Sequence, residues 1–200
     1  MRPIAYRVAK ISSLAPTIVS VILEPLNPTE PLRYRPTQYV NVSIDNRPTF
    51  PCSIANPPNH AGIIEFHFRT HAPLSFALGS TIFLEGPYGD WKRDPHRPCL
   101  LLAGGTGIAP FLSLMPPRPL LPEAEVKLYW GVRTPEDLYI KPQGVEFHPI
   151  ISGWVHEAAI SDLSGWQVFA SGPLEMVQKA FVAFIQHGLE PKDFYSDMMR

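Results

Sequence analysis

Cys99-Leu100-Leu101-Leu102-Ala103 runs straight into Gly104-Gly105-Thr106-Gly107-Ile108-Ala109-Pro110, and this junction decides the fold. Five apolar residues without polar alternation suit a strand buried on both faces, the habit of a parallel sheet covered by helices. A glycine-rich turn after such a strand, opening a helix, is where α/β sheets hold a pyrophosphate. Glycines permit close backbone approach, and the first amides of the helix point at negative charge. A turn that holds no ligand would use the same residues, and the glycines alone do not separate the two readings.

Downstream, residues 126–130, 145–151 and 166–170 read as further strands with short helical candidates between them. The clearest helix is 174–187, where Val177, Ala180, Phe181, Phe184 and Ile185 fall on one 3.6-residue stripe. Pro173 suits its first position, and Gly188 with Pro191 ends it. Strands alternating with helices predict a parallel α/β sheet. Upstream, residues 18–23, 39–44, 63–68 and 81–84 are short runs of branched and aromatic residues, better suited to strands than to helices. Ile64-Glu65-Phe66-His67-Phe68-Arg69 alternates apolar with polar, which puts His67 on a wet face, with contact to a bound ligand as the alternative. Asn27-Pro28, Asn56-Pro57-Pro58-Asn59, Gly79-Ser80 and Gly86-Pro87 are turn signals bounding these runs at the spacing of an antiparallel barrel. The expected architecture is a two-domain β + α/β protein. An antiparallel Greek-key β-barrel spans residues 1–96, and a trimmed, Rossmann-like parallel-sheet domain spans 97–200.

Composition narrows the function classes. A net charge of -1 over 200 residues, with no run of Lys and Arg, offers no field for nucleic acid or anionic lipid. No stretch approaches the roughly 18 apolar residues of a spanning helix, and Met1-Arg2-Pro3-Ile4-Ala5-Tyr6 lacks the apolar run of a secretion signal, so a cytoplasmic protein without membrane insertion is expected. Two cysteines, Cys52 and Cys99, are too few for four-thiolate ligation of an iron–sulfur cluster, so any such centre is expected on another protein. No histidine stands at metal-ligand spacing, and no metal is expected. The 24 prolines, more than twice the usual share of about 5%, are dispersed among apolar runs and imply short strands and stiff loops.

Six stretches, in order, resemble the ferredoxin reductase-like superfamily, in particular its flavin reductases and oxygenase reductases. They are Gln38-Tyr39-Val40, Cys52-Ser53-Ile54-Ala55-Asn56, Gly86-Pro87-Tyr88-Gly89, the glycine loop, Tyr129-Trp130-Gly131-Val132-Arg133-Thr134 with Asp137-Leu138-Tyr139, and Ser171-Gly172-Pro173-Leu174-Glu175-Met176. The resemblance covers nearly the whole chain. It implies an NAD(P)H-dependent flavin oxidoreductase using FAD or FMN with NADH or NADPH. Ser53 would lie beside the flavin N5 as a catalytic group, with the backbone of Cys52, Ile54 and Ala55 near the ring. Gly104, Gly105, Thr106, Gly107 and Pro110 would take the nicotinamide nucleotide, together with Gly131. Ser171, where many relatives carry Cys, would meet the nicotinamide with Gly172, Pro173 and Met176. Arg133 would reach a 2′-phosphate or stand as a solvated surface side chain, and Tyr195 would cover the flavin or simply pack.

Departures from the pattern matter equally. The family's flavin motif places an Arg three residues before the Ser, where this chain has Phe50. Arg47 lies six residues before it, an even separation, and could substitute only across a bulge such as Pro51 might mark. Pro73-Leu74-Ser75 replaces a glycine-containing phosphate loop, leaving Ser75 as a hydroxyl contact. Flavin is therefore expected to be loosely held. Met115-Pro116-Pro117-Arg118-Pro119 stops the first helix after about two turns, and residues 152–161 are shorter than their counterparts. The lack of a Ser-Arg pair after the 145–151 strand favours NADH. Three activities fit these residues: free flavin reduction, electron delivery through bound flavin to a partner iron–sulfur protein or oxygenase, and nucleotide or partner binding without turnover.

Overall fold

The computed structural model describes residues 2–44, 48–70, 74–115, 124–159 and 162–199. Arg47, Pro73 and residues 116–119 lie outside the described residues. The chain divides into two compact units, one comprising Met1–Asp90 with Ala109–Leu114 and the other Trp91–Ile108 with Met115–Arg200.

The first unit is a curled six-stranded antiparallel half-barrel. Its strands are β1 (Ile4–Ala15), β2 (Ile18–Pro25), β3 (Tyr39–Ser43), β4 (Phe50–Ser53), β5 (Ile64–Arg69) and β6 (Thr81–Tyr88). They lie in the order β4-β3-β6-β1-β2-β5. Alternation places Tyr6, Val8, Val21, Leu23, Val40, Val42, Ile64, Phe66, Ile82 and Leu84 in one core. Tyr6 is fully buried, and its hydroxyl donates to the Gly62 carbonyl at 3.1 Å and accepts the Leu32 amide at 3.0 Å. One phenol thus pins two loops beneath the sheet. Thr37 donates its amide to Ser113 Oγ at 2.7 Å, holding the short helix α1 (Ala109–Leu112) and the turn after it in this unit.

Two sequence expectations change here. Gly86-Pro87, expected to bound a strand, lies inside β6. The β3–β6 register shifts between Tyr39 and Asn41, opposite these residues, so the proline occupies a bulge and removes no ladder bond that a regular pair would need. His67 is not on a wet face: its side chain is only 5% exposed, with Nε2 3.1 Å from Glu65 Oε1. Ser20 Oγ donates to the same carboxylate oxygen at 2.5 Å. Strand alternation fixes the face a side chain takes, and these three polar groups then cover one another on it.

The second unit is a five-stranded parallel sheet of β7 (Cys99–Gly104), β8 (Val126–Val132), β9 (Glu146–Ile151), β10 (Gln167–Ser171) and β11 (Phe194–Tyr195), in the order β11-β10-β7-β8-β9. β7 is central and buried from Cys99 to Ala103, as its unbroken apolar run requires. Helices α2 (Val155–Ala158) and α3 (Leu174–Gln186) cover one face, packing Val155, Met176, Val177, Ala180 and Phe184 on Leu100, Leu102, Val168 and Ala170. A Schellman motif ends α3: Gly188 (φ +89) donates to the Ile185 carbonyl and Leu189 to that of Phe184. Arg97 grips Asp193 with two bonds of 2.7 and 2.8 Å, tying the entry of β7 to the approach to β11. Residues 91–96 also belong to this unit, with Trp91 4.9 Å from Phe169 and the Asp94 amide bonded to Gln167 Oε1 at 3.0 Å. No helix among the described residues is long and apolar enough to cross a membrane, and no group of metal-ligating side chains occurs among them.

The Glu65 carboxyl is held below its ordinary range, first by the His67 hydrogen bond and also by the Ser20 hydroxyl, against burial that pushes it up. A depressed folded pKa contributes stability above the unfolded value, lost as pH falls through the folded one. The melting temperature of the wild type should therefore fall as pH drops below about 4.3, the ordinary Glu value. Glu65→Gln should show a shallower fall over that window. Parallel curves for the two proteins would remove Glu65 from the acid response.

Candidate functional site

In the parallel sheet, succession runs β7, β8, β9 to one side and returns to β10 on the other, so the switch in direction lies between β7 and β10. Open α/β sheets bind ligands outside the carboxyl ends of the strands at this point. Here those ends carry Gly104 and the 3₁₀ turn Gly105–Ile108 on one strand, and Ser171-Gly172-Pro173 leading into α3 on its neighbour. Register pairs Ser171 with Ala103, which brings the two turns side by side.

The glycines are fixed first by this approach. A Cβ on Gly107 would sit 2.2 Å from the Ser171 carbonyl oxygen and 2.8 Å from the Gly172 nitrogen. One on Gly172 would meet Gly104 Cα at 2.9 Å, and one on Gly104 would meet Met176 Sδ at 2.7 Å and Pro173 Cδ at 2.8 Å. Gly104, Gly107, Gly172, Pro173 and Met176 therefore form one interlocked junction, with Met176 buried in the α3 core. Gly105 differs: its φ of +55° is left-handed, and its carbonyl accepts the Trp130 Nε1–H at 2.8 Å. Trp130, fully buried, was not singled out from sequence as a site residue. The available signal was that a buried indole must find an acceptor for its N–H. Thr106 is partly buried in the same turn, and Pro110 is buried in α1, its carbonyl accepting Ser113 Oγ. The helix expected to open at the glycines is a 3₁₀ turn followed by one α turn, too short for much of a dipole.

At the end of β8, Gly131 leaves room for α2, since its Cβ would lie 2.0 Å from Val155 Cγ2. Arg133 is exposed just beyond, and its carbonyl accepts Ser152 Oγ at 2.8 Å. Tyr195 is 7% exposed, edge-on to Phe169 at 4.7 Å, with its hydroxyl donating to Asp197 at 2.6 Å. The aromatic packing of this unit accounts for its position.

In the first unit, Ser53 ends β4 opposite Tyr39 and is partly exposed, while Cys52 before it faces the core with its thiol pushed up to about 12 by burial. The Ile54 amide donates to the Gln38 carbonyl at 3.1 Å and that of Ala55 to the Glu65 carbonyl at 2.8 Å, so both are engaged within the fold. Gln38 is a second residue sequence reading did not single out for the site. Its side chain accepts the Arg35 amide at 2.7 Å and donates to the Gly89 carbonyl at 2.8 Å, and with its own carbonyl bonded to Ile54 it joins three of the resemblance stretches. Phe50 lies edge-on to Phe68 at 6.4 Å, and Phe68 to Phe76 at 6.1 Å. Where the pattern calls for an arginine and a phosphate loop, this chain assembles phenyl rings, with Ser75 exposed between Leu74 and Phe76. Ser53 thus presents a partly exposed hydroxyl at a strand end, and Phe50 offers no charge to a phosphate.

Replacing Gly107 by Ala should destabilise the protein by about 1–3 kcal/mol, the usual cost of overpacking, without any ligand present. The urea midpoint measures this. An unchanged midpoint would mean that the junction is looser than its 2.2 Å approach implies.

Residues 101–149 match the oxidoreductase NAD-binding domain family. The CDP-6-deoxy-L-threo-D-glycero-4-hexulose-3-dehydrase reductase of Yersinia pestis is 32% identical, over 90% of this chain and 64% of that protein. The chain thus spans about 64% of the length of that relative. A probable flavin reductase of Vibrio harveyi is 28% identical over 95% of this chain and 96% of its own. Among solved structures, the ferredoxin reductase in carbazole 1,9a-dioxygenase shares the fold at a TM-score of 0.83, with 22% identity, 98% of this chain and 69% of that one covered. An antiparallel half-barrel, a parallel sheet with a glycine junction at its switch point and these relatives together show a ferredoxin reductase-like fold that carries an oxidoreductase NAD-binding segment over residues 101–149.

Proposed function

We propose that the chain is an NAD(P)H:flavin oxidoreductase of the flavin reductase type, with residues 1–96 taking the flavin and 97–200 the nicotinamide nucleotide. The observation that carries this reading is the glycine junction at the switch point between β7 and β10, whose first turn, with Gly104 and Gly107, lies in a segment matching an NAD-binding family. A relative of nearly the same length that is named a flavin reductase supports it. When bound, the two nucleotides supply hydride transfer from nicotinamide C4 to flavin N5. The chain's own residues bind and orient. Gly105, held by Trp130, presents the turn to the pyrophosphate with Gly104, Thr106, Gly107 and Pro110. Ser171, Gly172, Pro173 and Met176 set the nicotinamide side, and Gly131 and Arg133 border the adenosine side. NADH is favoured over NADPH.

Ser53 offers a hydroxyl to the flavin ring, flanked by the backbone of Cys52, Ile54 and Ala55, while Tyr195 packs within its own unit. The phenyl cluster at Phe50 gives no charge-assisted hold on a phosphate, and Ser75 offers only a neutral hydroxyl. Flavin, whether FMN or FAD, is therefore loosely held unless Arg47 reaches it. Loose holding favours exchange of flavin as a substrate. Electron delivery to a separate iron–sulfur or oxygenase partner is the second reading, favoured by relatives that are named reductase components of terephthalate 1,2-dioxygenase.

Purified protein should be nearly colourless and should oxidise NADH only when riboflavin, FMN or FAD is added. A yellow protein inactive with free flavin would transfer the assignment to the partner-directed reductase, and a colourless protein inactive under all these conditions would end both. Ser53→Ala should slow flavin reduction in rapid mixing by about tenfold to a hundredfold, the scale of one well-placed hydrogen bond in a transition state. Wild-type speed would take Ser53 off the catalytic group. Trp130→Phe removes the bond to the Gly105 carbonyl, worth about 1 kcal/mol, and should raise the NADH KM about fivefold with flavin affinity unchanged. An equal rise in the flavin dissociation constant would point to general loosening instead.

A further inference from the structure

We propose that the depression between α2 and α3 is a binding site for a small carboxylate carried on an apolar ring, independent of the nucleotide reading above. The connection from β9 to β10 contains one helical turn, Val155–Ala158, against the thirteen-residue α3. Beyond that turn α3 is uncovered, and Val182 on it is 58% exposed. The opening is a shallow, solvent-open depression of about 360 Å³ lined by His156, Gln178, Lys179, Val182, Ala183 and Gln186.

The lining chooses the ligand's chemistry. Val182, Ala183 and the stems of Lys179 and the two glutamines make an apolar wall. Each polar side chain of the lining can donate a hydrogen bond, and none of the six is a carboxylate. Lys179 Nζ lies 4.0 Å above the Trp154 ring and 2.8 Å from Glu175 Oε1, so an entering carboxylate shares this ammonium with the exposed Glu175. His156 supplies the independent observation: it is 8% exposed, and its Nδ1 is buried with no hydrogen-bond partner among the described residues. A lining of donors beside an apolar wall suits a ligand with an acceptor head and a compact apolar body. The carboxylate would meet Lys179 and a glutamine amide, while the ring would lie on Val182 and Ala183 beside the imidazole. The depression lies against α2 and α3, away from the turns after β7 and β10, so filling it leaves the glycine junction in place.

Benzoate, benzamide and inorganic phosphate are the probes, titrated into the whole chain while the amide resonances of residues 154–158 and 178–186 are followed. Benzoate should shift them saturably at millimolar concentration or below. Benzamide, which has the ring without the charge, should bind about tenfold more weakly, the loss of one charge-assisted hydrogen bond, and phosphate should give no saturable shift. Val182→Trp fills the depression and should abolish benzoate binding, while leaving the dispersion of the remaining spectrum and any NADH oxidation as in the wild type. Lys179→Met should weaken benzoate about tenfold. The proposal is overturned by no saturable shift up to about 20 mM benzoate. It is equally overturned if benzoate binds unchanged to Val182→Trp or Lys179→Met, or if phosphate binds as well as benzoate, which would mark a bare surface cation. Failure of NADH oxidation with normal benzoate binding would sink the oxidoreductase reading alone.

Discussion

The second unit depends on how closely the turn after β7 and the turn after β10 approach each other. Neighbouring parallel strands stand about 4.8 Å apart, and here both must release their chains at the same edge, one into a 3₁₀ turn and the other into α3. Side chains at Gly107 and Gly172 would occupy the volume of the opposing backbone, and one at Gly104 that of Met176 and Pro173. Because β10 reaches β7 only after the chain has passed through β8 and β9, this approach closes the longest connection in the sheet. This is also the edge at which open parallel sheets bind ligands. Packing necessity and ligand access converge on the same glycines, which is why a Gly-rich turn by itself cannot reveal which of the two it serves.

That convergence explains what the sequence could and could not reveal. The unbroken run from Cys99 to Ala103 is legible because only burial on both faces tolerates it, and the α3 stripe is legible because its contacts repeat at helical spacing. The reason for Gly107 is not legible, since its partner Ser171 is distant in sequence. β1 was not picked out as a strand, although Tyr6, Arg7 and Val8 alternate correctly. Register shifts after Val8 and after Ser13 break the phase of its twelve residues, so no single period describes it. His67 was assigned to the correct face but the wrong environment, because period-two reading says nothing about which cross-strand neighbours cover a side chain. Gln38 and Trp130 escaped for a similar reason, as their site contributions run through hydrogen bonds to residues 51 and 25 positions away.

In the first unit the same reasoning separates the flavin ring from its tail. The strand end at Ser53 is fixed by ladder pairing with Tyr39 and by Gln38, which engages the backbone of Ile54 and Gly89. Those constraints are local and rigid, appropriate for holding a hydroxyl at a defined place. Phe50, Phe68 and Phe76 present ring edges to one another instead. Edge-to-face aromatic pairs gain about 0.5–1.5 kcal/mol beyond burial, whereas a charge-assisted contact to a phosphate contributes about 1.5–3 kcal/mol to ligand binding. Substituting one for the other moves free energy from the complex to the unliganded fold.

The second unit shows a parallel economy in its helices. α2 is one turn long, yet it is seated by Val155, whose Cγ2 fills the space a Cβ on Gly131 would take. A helix that short cannot support itself in water, because nucleation fixes several residues for a single hydrogen bond. It persists because Val155 and Ala159 are buried in the core shared with α3. Burial of those side chains settles where α2 sits but not how far it extends, and it stops before covering α3 at Val182. Gly131 therefore admits the helix to the sheet, and the early end of that helix leaves the outer part of α3 open to other molecules.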